Sequence, residues 1–402
     1  MQGPLRSYDI RERNEKLILK LIYDRGVMSQ SEVASLTGLK APTVFRIFAS
    51  LENRRYIKLC EAGKEVSERK GRKPLFYCID PDAHYVIGVD FWAGSASVVV
   101  VNFDRTPVYE ELVDFPKVLD AQRVVQILTD LIEKAIHSSK ISAEKILGIG
   151  IGAPGVVDLK QGSVLYYPRI RDMVDFNIRE LLEREFSVPV YLHNNSSVIA
   201  LSEYRYGKAK EFDSLLLILI RSGVGGSFIS SGNIFVNRNQ TALEIGHTVV
   251  DGKGRSCWCG QKGCLETELS EDAIVADLKQ RTNLSSLEEI GETLAAGNQE
   301  ATAVLSEKAV LLNRCIRNLY MVLRPRAFMI VTRRLALSDF FSASARKSLR
   351  SSGIAAELSQ VTDLQSPEVL SDQYDPIMAG RGATDLVFDP FFASGSAAET
   401  IS

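Results

Sequence analysis

Apolar residues at helical spacing predict two helices close to the N-terminus. The first, over 12–24, would end at Gly26 and bury the residues Leu17, Ile18, Leu21 and Ile22. Ser29 and Glu32 then fit a capping box, in which each side chain bonds the other residue's free backbone amide. A short second helix therefore follows, with Val33 and Leu36 as its apolar stripe.

A third helix is predicted to begin near Pro42 and to bury residues at i, i+3, i+4 and i+7, namely Val44, Ile47, Phe48 and Leu51. Helix, short helix, tight turn and helix is the order of a helix-turn-helix, which lays its last helix in the DNA major groove. The opposite face of this helix and the residue before it give the candidate DNA-binding residues Lys40, Thr43, Phe45 and Arg46. Arg46 could bond guanine, Phe45 could meet a thymine methyl, and Lys40 suits a phosphate.

Strand-like runs at 56–59 and 75–79 flank a basic loop over 68–74, which predicts a wing. Its cations could follow a phosphate backbone or enter the minor groove, and they are Arg69, Lys70, Arg72 and Lys73. Residues 1–80 hold 16 Lys or Arg against 10 Asp or Glu, a net of +6 in a chain of net −2, which leaves −8 for the rest. This asymmetry suggests a polyanion partner for residues 1–80. A small helical domain with a solvated hairpin is the alternative.

From Tyr85 onward, strands alternate with helices, which predicts an α/β body. The runs 85–90 and 97–102 would pair as a hairpin, 107–115 would add a strand, and a helix over 119–137 precedes a strand over 146–151. That strand ends in a glycine-rich loop over 152–158, and ligands lie at such carboxyl ends of strands. A later buried strand, 214–220, also leads into a glycine-rich turn at 223–226.

Three of the six cysteines lie within eight residues, in the pattern Cys257-x-Cys259-x4-Cys264, and His247 lies ten residues before the first. Three thiolates and one imidazole make a closed tetrahedral set, which suits structural Zn²⁺ and leaves no position for a catalytic water. Chance clustering of buried cysteines is the alternative.

Three segments resemble the ROK family of bacterial repressors and sugar kinases: 148–158, 244–247 and 257–266. The resemblance implies an α/β fold in which a winged helix-turn-helix precedes a two-lobed, actin-like, sugar-kinase-like (ribonuclease H-like) domain. The expected domains are 1–80 for DNA binding, 81–200 for the first lobe, completed by a C-terminal helix near 380–402, and 201–380 for the second lobe with the zinc knot.

The resemblance also implies a sugar site braced by the zinc knot. Glu244 and Glu266 would accept hydrogen bonds from sugar hydroxyls, and His247 would bind zinc with one nitrogen and meet the sugar with the other. The rest of the expected sugar site comprises Gly152, Asn194 and Asn195.

The chain departs from the family's kinases at several positions. Asn195 stands where they have the aspartate that deprotonates the sugar, and an amide cannot accept a proton at neutral pH. The first nucleotide loop carries Phe91 and Trp92 in place of small residues, Arg221 replaces a glycine in the second, and the glycine pair expected near 331–335 is absent. These departures predict a protein that is not an enzyme.

The loop over 166–172 differs from the kinases as well. Its Arg169 and Arg171 could meet an acidic or phosphorylated ligand, or they could be solvated loop arginines.

The predicted protein is a homodimeric repressor of carbohydrate genes, with tetramers as a further state, that binds a palindromic double-stranded operator and a small carbohydrate effector. An active sugar kinase with an added DNA-binding domain, and a regulator whose body is only a scaffold for dimerisation or docking, are the alternatives. No apolar run reaches the roughly 20 residues of a membrane span and the N-terminus is too polar for a signal peptide, so a cytoplasmic protein without a membrane partner is expected.

Overall fold

A computed structural model describes residues 7–60, 74–238, 241–351 and 366–393. Its α-helices are α1 Ser7–Arg25, α2 Gln30–Thr37, α3 Ala41–Asn53, α4 Ala121–Ser139, α5 Ile178–Phe186, α6 Asn195–Arg205, α7 Leu265–Leu269, α8 Glu271–Arg281, α9 Ile290–Ala295, α10 Gln299–Leu323, α11 Leu335–Ser351 and α12 Pro376–Phe392. Its strands are β1 Met28–Ser29, β2 Ile57–Cys60, β3 Phe76–Ile79, β4 Tyr85–Phe91, β5 Ser95–Asn102, β6 Pro107–Asp114, β7 Ile146–Ala153, β8 Val156–Asp158, β9 Ser163–Tyr166, β10 Val174–Asn177, β11 Val190–Asn194, β12 Ser214–Ile220, β13 Val224–Ser230, β14 Asn233–Ile234, β15 Ala327–Thr332 and β16 Glu368–Gln373.

The N-terminal module is the predicted winged helix-turn-helix, with α1 to α3 beside a small sheet in the order β1-β3-β2. The capping box is confirmed: the Ser29 backbone N–H donates to Glu32 Oε2 over 2.8 Å, and the Glu32 N–H donates to Ser29 Oγ over 3.3 Å. Gly38 ends α2 in the left-handed conformation at φ +69°, which glycine adopts without strain.

The buried face of α3 is confirmed in full, since Val44, Ile47, Phe48 and Leu51 are all buried. Two expected core residues elsewhere are wrong: Leu17 is 47% exposed and Leu36 is 49% exposed. Of the residues predicted for α1, Ile18 and Ile22 are buried and Leu21 is half-buried, while the unpredicted Leu19 joins the core of this helix, which packs both on α3 and on the C-terminal helix α12.

Two five-stranded sheets form the body, in the orders β11-β7-β4-β5-β6 and β14-β13-β12-β15-β16. In each sheet a first strand pairs antiparallel with the next one and parallel with a strand much later in the chain. The two sheets therefore share one topology, which the predicted pair of lobes requires. The central strands are buried along their whole length, as expected of sheets covered by helices on both faces.

Helix α12 packs closely on the first sheet, against β4, β5 and β7. Gly150 permits this approach, because a Cβ there would lie 1.8 Å from the backbone oxygen of Ala383. The C-terminal end of α12 also reaches the DNA-binding module, where the Phe392 and Tyr23 ring centroids are 4.3 Å apart. A single hydrophobic core thus joins α1, α3, the first sheet and α12.

Ion pairs reinforce the same junction. Asp385 of α12 is fully buried and pairs with Arg205 over 2.6 Å and with Arg105 over 3.4 Å, and Tyr206 donates its hydroxyl to the same carboxylate. Among the described helices, none has the length and apolar character needed to cross a membrane.

Candidate functional site

One His/Cys cluster that could hold a metal lies at the turn before α7. The ligand atoms of His247, Cys257, Cys259 and Cys264 all lie within 4.8 Å of one another. Two distances show how tight the set is: Cys257 Sγ is 3.4 Å from His247 Nδ1, and Cys259 Sγ is 3.5 Å from Cys264 Sγ. The four residues predicted from their spacing are therefore brought together, in a donor set and a size that fit a tetrahedral metal ion.

Glycine shapes this turn. Gly263 has φ +68°, and a Cβ there would lie 1.5 Å from the Asp251 backbone oxygen. Gly260 has φ +90°, which side chains rarely adopt. The turn can thus fold back on itself only with glycine at position 263.

His247 of the His/Cys cluster and the residues beside it form one wall of a cleft of about 350 Å³, a size that suits a small ligand. We call this wall the knot side and define it by Glu244, His247, Trp258 and Glu266, all of which line the cleft. The Trp258 ring stands edge-on to the His247 ring at 4.6 Å and lies 4.9 Å from the Tyr166 ring, so an aromatic surface meets the two carboxylates. The sequence motif contained Trp258, but its place in the cleft became visible only in the structure.

The two carboxylates of the knot side are held differently. Glu266 is fixed, since it accepts hydrogen bonds from the Val224 backbone N–H over 3.2 Å and from Trp258 Nε1 over 3.3 Å. Glu244 is exposed to the cleft. Desolvation by surrounding protein atoms, followed by the negative charge of Glu266, raises the pKa of Glu244 to about 7.

The floor of the cleft is the start of α6. Asn194 caps this helix by accepting from the Ser197 backbone N–H, and Asn195 donates through Nδ2 to Asp90 Oδ1 over 2.6 Å and to the Phe91 backbone oxygen over 3.0 Å. Both asparagines line the cleft. Gly152 lies beneath them, where a Cβ would be 2.4 Å from Asp90 Oδ1, so its contact is with this carboxylate.

The opposite wall is built from stacked cations and rings. We call it the arginine side and define it by Trp92 and Arg221, which line the cleft, and by Tyr374 and Arg333, which stack against them. The Arg221 guanidinium lies 4.2 Å from the Tyr374 ring centroid and 5.3 Å from that of Trp92, and Arg333 lies 5.4 Å from Trp92. Arg333 also donates from Nε to Glu271 over 2.7 Å.

Asp90 connects the floor to the arginine side. Its Oδ2 accepts a hydrogen bond from the Tyr374 hydroxyl over 2.8 Å, while its Oδ1 accepts from Asn195. Burial raises the pKa of Asp90 to about 6, although the Arg221 charge and these two hydrogen bonds act in the opposite direction. Tyr374 and Glu271 were missed by the sequence analysis, since no local motif marks either residue.

The loop over 166–172 closes the rim of the cleft. Arg169 lines the cleft and donates to the Ser222 backbone oxygen and to Asp272, each over 2.6 Å. Arg171 points instead to Asp120, which it contacts over 2.8 Å. Both arginines therefore have protein partners.

The second candidate site is the outer face of α3. Phe45 is 62% exposed, Lys40 and Arg46 are exposed, and Thr43 is half-buried. Arg46 donates to the Pro42 backbone oxygen through Nε over 3.3 Å. The four predicted wing cations, Arg69, Lys70, Arg72 and Lys73, lie outside the described residues.

Both the N-terminal module and the body are similar to known protein families. The ROK family profile matches residues 86–373, and the profile described as a winged helix-turn-helix DNA-binding domain matches residues 11–58. Similar proteins include the xylose repressor of Caldicellulosiruptor bescii, 28% identical over 67% of this chain and 67% of that protein. The DNA-binding transcriptional dual regulator NagC of Escherichia coli is 28% identical over 66% of this chain and 64% of its own length.

Solved structures show the same architecture. A ROK family transcriptional regulator, described as a homologue of the E. coli MLC protein, superposes with a TM-score of 0.80 at 20% identity over 96% of this chain and 98% of its own. A ROK family glucokinase from Streptomyces griseus in complex with glucose and AMPPNP superposes with a TM-score of 0.65 at 25% identity, covering 76% of this chain and 99% of the glucokinase.

Proposed function

The chain belongs to the ROK family, and from this we propose that it is a sequence-specific DNA-binding repressor of carbohydrate genes, controlled by a sugar or sugar derivative bound in the cleft. The observation that carries the proposal is the presence, in one chain, of a helix α3 with an exposed outer face and of a carboxylate-lined cleft. Relatives named xylose repressor and NagC support both halves of it.

In this proposal α3 enters the major groove and presents Thr43, Phe45 and Arg46 to base edges, with Lys40 on a phosphate. The wing cations Arg69, Lys70, Arg72 and Lys73 would add contacts to the DNA backbone. Two copies would bind a palindromic operator, because two-fold proteins read half-sites about one DNA turn apart. A homodimer is therefore part of the proposal, and a tetramer is its extension.

The effector would lie between the knot side and the floor. Glu244 and Glu266 have carboxylate oxygens that accept bonds from hydroxyls, and His247, Asn194 and Asn195 supply further polar atoms facing the same space. Gly152 would contribute by letting Asp90 approach the floor. The residues His247, Cys257, Cys259 and Cys264 would hold a structural Zn²⁺ that fixes this wall.

The same cleft is poorly suited to phosphoryl transfer. Asn195 donates its amide to Asp90 and has no basic group, so it cannot take a proton from a sugar hydroxyl. A nucleotide needs the backbone of two loops to come close to its phosphates. In this chain those loops carry the bulky side chains of Trp92 and Arg221. Similarity to the glucokinase makes ATP-dependent sugar phosphorylation the second candidate, and a coupled assay with ATP and a sugar panel tests it. We propose that this assay shows no turnover.

Each proposed domain has one part of this function. Residues 1–80 would bind DNA, while 81–200 with the C-terminal helix and 201–380 would form the two lobes around the effector.

The first experiment is selection of operators from a random DNA library by the full chain, repeated with candidate sugars. We expect a palindrome to be enriched, a sugar to abolish its binding, and Arg46→Ala to relax the choice of base at one position per half-site. Enrichment of no sequence by the folded, metal-containing protein would refute the DNA-binding proposal.

A further inference from the structure

Two free cysteines lie side by side on the hairpin of the DNA-binding module. Strands β2 and β3 pair antiparallel, with Lys58 opposite Cys78 and Cys60 opposite Phe76. Because side chains alternate between the two faces of a strand, Cys60 and Cys78 are diagonal neighbours on one face of this ladder. The residues of β3 that alternate with Cys78 are buried in the core of the module, so the two cysteines lie on the opposite, half-buried face.

The two thiols interact directly, and they differ in reactivity. Burial, followed by the hydrogen bond and the charge of the neighbouring Cys78 thiol, raises the pKa of Cys60 to about 11. Cys60 is therefore protonated at neutral pH, and since only a thiolate is an effective nucleophile, Cys78 is the thiol that reacts first. Neither cysteine belongs to the His/Cys cluster of the body.

The diagonal arrangement suits a disulfide that forms and breaks reversibly. Diagonal neighbours of an antiparallel pair have Cα atoms about 7–8 Å apart, whereas disulfide-linked residues have them about 4.4–6.8 Å apart. A crosslink would thus draw β2 and β3 together by roughly 1 Å at this point. Strained, accessible disulfides of this kind are reduced more easily than the buried structural ones.

We propose that Cys60 and Cys78 are a redox switch that closes to a disulfide by exchange with a low-molecular-weight disulfide such as oxidised glutathione, and that closure weakens operator binding. The Cys78 thiolate attacks one sulfur of the small disulfide, whose S–S bond breaks as a mixed disulfide forms on Cys78 and one small thiolate leaves. The Cys60 thiolate then attacks the Cys78 sulfur, which forms the internal bond and expels the second small thiolate. Two protein thiols are oxidised, one small disulfide is reduced to two thiols, and the two protons pass from the protein to these products.

The crosslink would act on DNA through the wing. Cys60 is the last residue of β2, Cys78 lies in β3, and the chain between them contains the four predicted wing cations. Because contacts with phosphates depend on the position of each cation, a change in the two strands that support the wing should weaken them. This effect rests on the proposed function, whereas the exchange chemistry does not.

The test treats the full, metal-containing chain with oxidised glutathione and follows the products by mass spectrometry and peptide mapping. We expect a loss of two hydrogen atoms, a peptide joined at Cys60 and Cys78, and reversal by dithiothreitol. Affinity for the selected operator should fall about 3- to 10-fold on oxidation and return on reduction. Cys60→Ser should stop at the glutathione mixed disulfide on Cys78, while Cys315→Ser, which removes a buried cysteine elsewhere, should still form the crosslink.

Other results would overturn the inference. Mixed disulfides without an internal crosslink would show that the two thiols do not exchange, and a crosslink that leaves operator affinity unchanged would show that they are not a switch. A fall in affinity that persists in the double variant Cys60→Ser/Cys78→Ser would assign the effect to other cysteines. Mass measures the crosslink without DNA, so a chain that selects an operator but forms no crosslink fails this inference alone. A crosslinked chain that selects no operator supports the exchanging pair and removes, together with the repressor proposal, its action on DNA.

Discussion

On the knot side of the cleft, polar side chains face the cavity, whereas on the arginine side they face mainly each other. Glu244 is open to the cleft and Glu266 lines it. Arg333, Tyr374 and Asp90 bond within the protein, and Arg221 Nη1 is the exception. The difference teaches that one half of a kinase-like cleft can keep free hydrogen-bond acceptors facing the cavity while the other half is filled by its own side chains.

The strongest test of the comparison removes one ligand of the proposed metal site beside the knot side. Cys264→Ser should lower the metal content to near zero and reduce the free energy of unfolding by more than about 4 kcal/mol, because a metal bound only in the folded state contributes to folding. Metal analysis and thermal unfolding measure the two effects, and carbohydrate binding should be lost with them.

Cys315→Ser is the control, since Cys315 is a buried cysteine outside the cluster. It should keep one metal ion per chain whatever its effect on stability. A fully metal-loaded Cys264→Ser protein would contradict the assignment of this ligand.

The knot shows how much the sequence could predict. Four ligands close in sequence, with glycine at the turn, suffice to predict the cluster, and the capping box at Ser29 is equally local. The arginine side could not be predicted in this way, because Tyr374 reaches Asp90 from 284 residues away along the chain. The Leu17 prediction was wrong for a related reason: α1 also contacts α12, from the far end of the chain, and the helix buries Leu19 together with the predicted Ile18 and Ile22.

The second prediction concerns a carboxylate introduced at the floor of the cleft, at the position where the family's kinases have their catalytic base. Asn195→Asp would place a second carboxylate against Asp90, whose pKa burial already raises to about 6. One of the two must then hold a proton, so we expect a loss of about 2–4 kcal/mol at pH 8 and no ATP-dependent phosphorylation. Because burial and the second carboxylate hold the folded pKa of the pair above the unfolded value of about 4, the pair is tolerated below pH 4, and its cost grows as the pH rises through the folded pKa.

Urea unfolding of variant and parent between pH 5 and 8 measures this difference. Asn194→Asp is the matched control, because Asn194 is the N-cap of α6, where aspartate is equally good. It should change the stability by less than about 0.5 kcal/mol at all these pH values. Turnover by Asn195→Asp would show that the arginine side still admits a nucleotide.

The third prediction concerns binding on the knot side. Glu266→Gln removes the charge of a carboxylate that lines the cleft but keeps an acceptor for the Val224 backbone N–H. The effector is the sugar that releases the protein from its operator. The affinity of the variant for this sugar should fall about 10- to 100-fold, and its DNA binding without the sugar should be unchanged. Glu292→Gln, on the exposed surface of α9, should leave the affinity unaltered. Equal effects of the two variants would mean that general charge, rather than the knot side, governs binding.

The smallest expected effect is that of the rim. Arg169 bonds Asp272 and Ser222 across the cleft, but the side chains of Arg169 and Asp272 are 39% and 70% exposed, so solvent screens their attraction. Arg169→Ala should therefore cost less than about 1 kcal/mol of stability. Arg171→Ala, which breaks the exposed contact with Asp120, should cost a similar amount.

Thermal unfolding with and without ATP measures both variants. Stabilisation of Arg169→Ala by ATP would show that this one bridge, and not the stacked Arg221, Trp92 and Tyr374, keeps nucleotides out. If neither variant responds to ATP, the exclusion lies in the buried stack, as the difference between the two sides of the cleft requires.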